Sequence, residues 1–129
     1  MDWENRENSR IEGIDLEEAL RYSVDGVAGV WENIGNYLES AQEYREQLNT
    51  FFSQGEYSEY RVLAHGLKST LALIGGKAMS EQAKAMEQAG KVQDYDYIRL
   101  HHAEFDQNLK EWNQLLLEQY RKIQRETLE

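Results

Sequence analysis

The sequence predicts an all-α fold, an antiparallel up-down-up-down four-helix bundle with a short additional N-terminal helix. Three observations carry that prediction. Proline is absent from the 129 residues, and strong helix formers recur throughout while β-branched residues are sparse, so no segment favours a strand. Apolar residues recur at three- and four-residue spacings over four long segments, the signature of helices with one buried face. The breaks between those segments are short, and short connections force antiparallel neighbours.

Residues 1–10, MDWENRENSR, are polar around a single Trp3 and bury too little apolar area to offset the entropy of ordering them, so a flexible N-terminal arm is expected. The helical bundle is expected over 11–120. Ile11, Ile14, Leu16 and Leu20 open it, with Asp15 placed as an N-cap and Glu18 three residues on, a capping-box-like start for a short helix over about 15–23. From 27 to 52, Val27, Val30, Ile34, Leu38, Ala41, Tyr44, Leu48, Phe51 and Phe52 form one stripe, and Gly55 suits the left-handed cap that ends it. A third helix, from 56 or 58 to 74, places Tyr60, Leu63, Leu67, Leu71 and Ile74 inward and closes at Gly75-Gly76. Ala78, Met79, Ala83, Met86 and Ala89 mark a fourth over about 78–90, its alanines permitting close approach of a neighbour. The last helix starts at Asp94 or Asp96, carries Tyr97, Ile98, His101, Phe105, Leu109, Trp112, Leu115 and Leu116 on its apolar side, and gives way at about 120 to a polar C-terminal extension, 121–129. Trp31 and Trp112 read as packing residues, the two methionines as gap-fillers, and Gly29 and Gly35 as sites of close helix packing.

A formal net charge of −10 disfavours nucleic acid and anionic lipid as partners, and no basic stripe is evident in the sequence to reverse this locally. Cysteine is absent, which excludes a disulfide framework and a thiolate metal site. There is no long apolar run and no signal-peptide pattern, so a soluble cytoplasmic protein is expected. His101 and His102 are adjacent, hence about 100° apart on a helix, and do not make the i, i+4 pair that ligates one metal. Phosphate loops, kinase-type glycine loops and paired carboxylates are missing, so nucleotide-dependent kinase activity is not expected.

The informative stretch is Ala64-His65-Gly66-Leu67-Lys68-Ser69-Thr70. On a helix His65 lies about 160° from both Leu63 and Leu67, so its imidazole faces outward. Lys68 follows one turn on, about 60° around, within reach of a group attached to that ring. Gly66, Ser69 and Ala72 keep the neighbourhood small. A phosphoryl group brings a charge of about −2 and three acceptor oxygens; it needs a nearby cation, and its transfer to another protein's aspartate needs clearance.

The string His65-Gly66-Leu67-Lys68-Ser69, followed by Ile74-Gly75 and a helix containing Met86-Glu87-Gln88-Ala89-Gly90, resembles the histidine phosphotransfer (HPt) domain family of two-component phosphorelays. The likeness extends loosely over 11–118, with its specificity in 64–90. It implies a four-helix bundle in which His65 is the phosphoacceptor, Lys68 steadies the phosphoryl group, and Glu87 accepts a hydrogen bond from the other ring nitrogen and so orients the imidazole. Gly66, Ser69 and Ala72 would then form the ground on which a partner docks. The protein would be a phosphoryl carrier and not an enzyme, exchanging with the aspartate of a response-regulator receiver domain or with a histidine kinase. It would need no cofactor of its own, since Mg²⁺ belongs to the receiver, and would act as a monomer that leaves the His65 face uncovered. The family most often has glycine directly after the lysine. Ser69 in that place raises the alternative of a transfer-incompetent docking or scaffold domain.

Overall fold

A computed structural model of the protein describes residues 14–128, so the expected arm at 1–10 and Ile11 lie outside the described residues. Five helices follow in order: α1, Leu16–Arg21; α2, Gly26–Gln54; α3, Tyr57–Leu73; α4, Lys77–Lys91; and α5, Tyr95–Leu128. No strand occurs among the described residues. The ends are set by the local chemistry read from the sequence. The Asp15 carboxylate accepts from the Glu18 amide at 3.0 Å and starts α1. Gly55, at φ 68°, closes α2 while the Glu56 amide donates to the Phe51 carbonyl at 2.9 Å. Of the two candidate caps for α5, Asp94 is the one that accepts from an amide, that of Tyr97, at 3.1 Å.

Four helices form a ring in which α2 and α4 each pack on both α3 and α5, and α1 lies across α2 and α3 at one end. The two-glycine turn holds α1 there: Gly75, at φ 79°, presents its carbonyl to the Asp15 amide at 2.6 Å. A Cβ on that residue would stand 2.6 Å from the Asp15 carbonyl oxygen, so the turn tolerates no side chain. Gly35 serves close packing as expected, because a Cβ there would meet the Tyr120 ring of α5; the near neighbours of Gly29 are Ser23 and Asp25 in the preceding turn.

The core is the predicted one along most of its length. Tyr60, Ile34, Leu48, Leu67, Leu71, Ile74, Met86, Ile98, Leu109 and Leu116 are fully enclosed, and Trp31, Met79 and Trp112 are buried. Three of the residues expected on the apolar faces are not enclosed as expected. Ala78 is exposed, one residue off the face that Met79 and Ala83 bury. Leu115 is 49 % exposed beside the fully buried Leu116. His102, not His101, is the enclosed histidine, because its ring finds polar partners inside. The helix does not fade at 120: α5 continues to Leu128, and Ile123, inside the polar stretch, is fully buried in the same cluster as Ala19, Val30 and Trp31. No helix among the described residues is long and apolar enough to cross a membrane.

Candidate functional site

Tyr60, Ala64, Leu67 and Leu71 turn one face of α3 into the core, which leaves His65 on the opposite flank with its side chain 62 % exposed. Its Nδ1 lies 2.6 Å from Oε1 of Glu87 on α4. The other carboxylate oxygen, Oε2, is 2.7 Å from Nζ of Lys68. One carboxylate, itself only 12 % exposed, thus joins the imidazole to the ammonium one turn further along α3. A second link holds the two helices in register at this level, where the Ser80 hydroxyl donates to the Lys68 carbonyl at 2.8 Å.

The charge on Glu87 decides what the ring can do. Burial opposes ionisation, but hydrogen bonds from Lys68 and His65 outweigh it and hold the carboxyl below the usual carboxylate range. An ionised Glu87 only accepts, so Nδ1 must carry the proton. A neutral imidazole then keeps its lone pair on Nε2, and Nε2 has no hydrogen-bond partner among the described residues.

Around the ring, Gly66 and Ser69 are exposed and Ala72 is half-buried. A Cβ on Gly66 would have no atom within 4 Å, so nothing inside the fold requires that glycine. The Ser69 hydroxyl points back along its own helix toward the His65 carbonyl at 3.5 Å. Toward α2 the surface falls into an apolar groove of about 480 Å³ lined by Tyr44, Phe51, Val62, Leu63, Gly66 and Thr70 among others. On the α4 side, with Glu81 exposed among them, Lys77, Lys84 and Lys91 all stand in solvent. Their seven-residue spacing sets them in one row, because seven residues make nearly two helical turns.

The Hpt domain family model matches residues 32–124, a span that starts within α2, ends near the close of α5 and contains the whole site. The chain belongs to the Hpt domain family. Hpt domains act in two-component phosphorelays, interacting with receiver domains and histidine kinases, and are phosphocarriers rather than kinases. No match was found among curated proteins or among solved structures. In this Hpt domain the fold brings His65, Lys68 and Glu87 together from two helices and leaves Gly66 and Ser69 open beside them.

Sequence reasoning passed over two features of the site. Ser80 has no motif to mark it, since its role depends on where α4 lies against α3. The lysine row was legible as a heptad repeat, 77, 84 and 91, but acquires a location only once Glu87 fixes which side of α4 meets His65. The adjacent histidines part company: His101 is half-buried with its ring 4.1 Å from that of Tyr97, whereas His102 is enclosed between Tyr60 and Asn49. No group of three or more His, Asp or Glu side chains among the described residues is arranged to hold a metal ion.

Proposed function

We propose that His65 is the phosphoryl-carrying residue of this Hpt domain, taking the group from the aspartyl phosphate of one receiver domain, or from a histidine kinase, and passing it to the aspartate of another. The observation that supports this reading is the Glu87 carboxylate 2.6 Å from Nδ1 of the exposed His65 ring, a contact that favours the proton on Nδ1 and Nε2 as the nucleophile. In the forward step the Nε2 lone pair attacks phosphorus, the N–P bond forms, and the P–O bond breaks with its electron pair going to the receiver's aspartate. No proton has to leave the imidazole. The ring becomes a cation that retains its Nδ1 proton, and the anionic Glu87 balances it. Lys68, 2.7 Å from the same carboxylate, is positioned to swing its ammonium from Glu87 to the phosphoryl oxygens, a charge-assisted contact of the strong kind. The reverse step retraces this path, with the phosphoryl group leaving Nε2 for an incoming carboxylate. The chain brings neither nucleotide nor metal to the reaction; the divalent cation belongs to the receiver. The working unit is a monomer, since a second copy over the His65 face would close it to partners.

The test is transfer of label from a phosphorylated receiver. Wild-type protein should take up one phosphoryl group in an acid-labile, base-stable form, and His65→Gln should take up none. A variant that labels as well as wild type would remove His65 from the role. Tight receiver association without any transfer would instead support the docking reading raised by Ser69. The Ser69 hydroxyl itself lies against its own helix, 3.5 Å from the His65 carbonyl.

A further inference from the structure

The row of lysines on α4 lies where helical geometry makes it part of the site's surroundings. Taking Glu87 as the direction that meets His65, Lys91, Lys84 and Lys77 lie about 40°, 60° and 80° around the axis on one side, while Ala83 and Met86 lie about 40° and 100° on the other, toward the core. The row therefore borders the His65–Glu87 contact on its outer edge and extends for about 21 Å along it. Arg61 of α3 adds to it at the Lys91 end, where a Cβ on Gly90 would come within 3.0 Å of the Arg61 side chain.

The charges exposed on α4 differ in sign from those exposed on α2, its opposite number in the ring. The exposed charges of α2 are Glu32, Glu39, Glu43 and Glu46, with no exposed base among them, in keeping with a chain of net charge −10. On α4 the exposed charges are the three lysines and Glu81 alone. Among the described residues none of the three lies within ion-pair distance of a carboxylate. Lys77 also occupies the first position of a helix whose first turn contains no acid, the end at which the helix dipole disfavours a cation. Position in the helix accounts for Lys91 alone, which stands in the last turn, where the dipole favours a cation.

We propose that Lys77, Lys84 and Lys91 form an electrostatic docking edge for the acidic rim of the receiver domain that exchanges phosphoryl with His65. The proposal rests on the phosphotransfer reading and identifies the surface charge its partner carries. A protein that offers an aspartate to a phosphoryl group, and gathers a divalent cation around it, presents carboxylates at its reacting face. A cationic edge beside the imidazole attracts that face over the roughly 8–10 Å that charges act through physiological salt, and orients it before contact. Arg61 extends this positive edge, and the charge of Glu87 behind it is balanced by Lys68.

The experiment compares the full-length wild-type chain with a Lys77→Gln/Lys84→Gln/Lys91→Gln variant in two reactions. One is transfer to and from a panel of receiver domains across a salt series; the other is direct labelling of His65 by phosphoramidate, which needs no partner. The variant should exchange with receivers about tenfold more slowly at low salt, the lower end of electrostatic steering. The two proteins should converge near 1 M salt, where the screening length is about 3 Å. Phosphoramidate labelling should be unchanged. Equal receiver rates with equal salt dependence would overturn the docking edge while leaving the role of His65 standing. An equal fall in both reactions would also overturn it, by assigning the lysines to the site's own chemistry. Unchanged receiver rates together with lost binding to phosphatidylglycerol vesicles would hand the row to a lipid surface instead. Absence of exchange between the wild-type chain and every receiver would sink the phosphotransfer reading and the docking edge with it.

Discussion

Glu87 is the residue on which the site turns, because it is a carboxylate with little access to water that satisfies two groups on the neighbouring helix at once. Removing it leaves Lys68 without its counter-charge and lets the His65 proton settle on either nitrogen. Glu87→Ala should therefore slow receiver transfer, by up to about 100-fold for a misplaced reacting group, and nitrogen NMR of the ring should show a mixture of tautomers where wild type shows the proton on Nδ1. A ring that keeps its Nδ1 proton in the variant would contradict the orienting role. Gly66 makes a separable prediction. Since no atom of the fold would touch a Cβ there, Gly66→Ala should raise stability by about 0.5–1 kcal/mol, the usual helix-interior difference. Gly66→Leu should slow receiver transfer without slowing phosphoramidate labelling. A gain in stability from Gly66→Ala with a loss of transfer from Gly66→Leu is the pair of outcomes expected if this surface is kept bare for contact.

At the scale of helices, a buried polar network ties α2, α3 and α5 together below the site. Asn49 donates to the Asp106 carboxylate at 3.2 Å and to the Arg45 carbonyl at 2.9 Å, so its own oxygen accepts from His102 Nε2–H at 2.7 Å. A neutral His102 then accepts at Nδ1 from the Tyr60 hydroxyl at 2.8 Å, and its ring stacks on Phe52 with centroids 4.1 Å apart. Arg45 grips Asp106 with two hydrogen bonds of 3.0 Å. Burial lowers the pKa of His102 against the smaller opposing pull of Asp106. The unfolded chain therefore binds this proton more readily than the folded one, and stability should be full above the ordinary histidine value of about 6.5 and fall as pH drops below it. Denaturant midpoints at pH 7 and pH 5 read this directly, and His102→Phe should flatten the part of the profile between them. The length of α5 gives another check. Ile123→Ala should cost about 2–4 kcal/mol, as for other enclosed aliphatic side chains; a change under 0.5 kcal/mol would mean that the helix end contributes nothing to the core.

Over the whole molecule, four helices form a ring, and the His65 imidazole stands exposed on its flank. That arrangement suits the proposed carrier: the core sets the spacing of α3 and α4, the spacing sets the Glu87 bridge, and the bridge leaves the other ring nitrogen free. The pattern of the sequence by itself determined the helix count, the caps at Asp15 and Gly55, most of the core and the outward direction of His65, because each depends on residues within a turn or two of one another. Where sequence went astray, the cause was a neighbour it could not place. Ile123 fell within a polar tail until the end of α5 was set beside α2, where Tyr120 meets Gly35. The sequence set His101 on the apolar side of its helix, and it is His102 that Tyr60 and Asn49 draw inside by offering a buried pair of partners. Only the tertiary structure decided that Glu87 reaches both His65 and Lys68, and that three lysines spaced along α4 line the edge of that contact. Helical periodicity fixes angles within a helix, but the rotation and register of one helix against another come from packing that spans the whole chain.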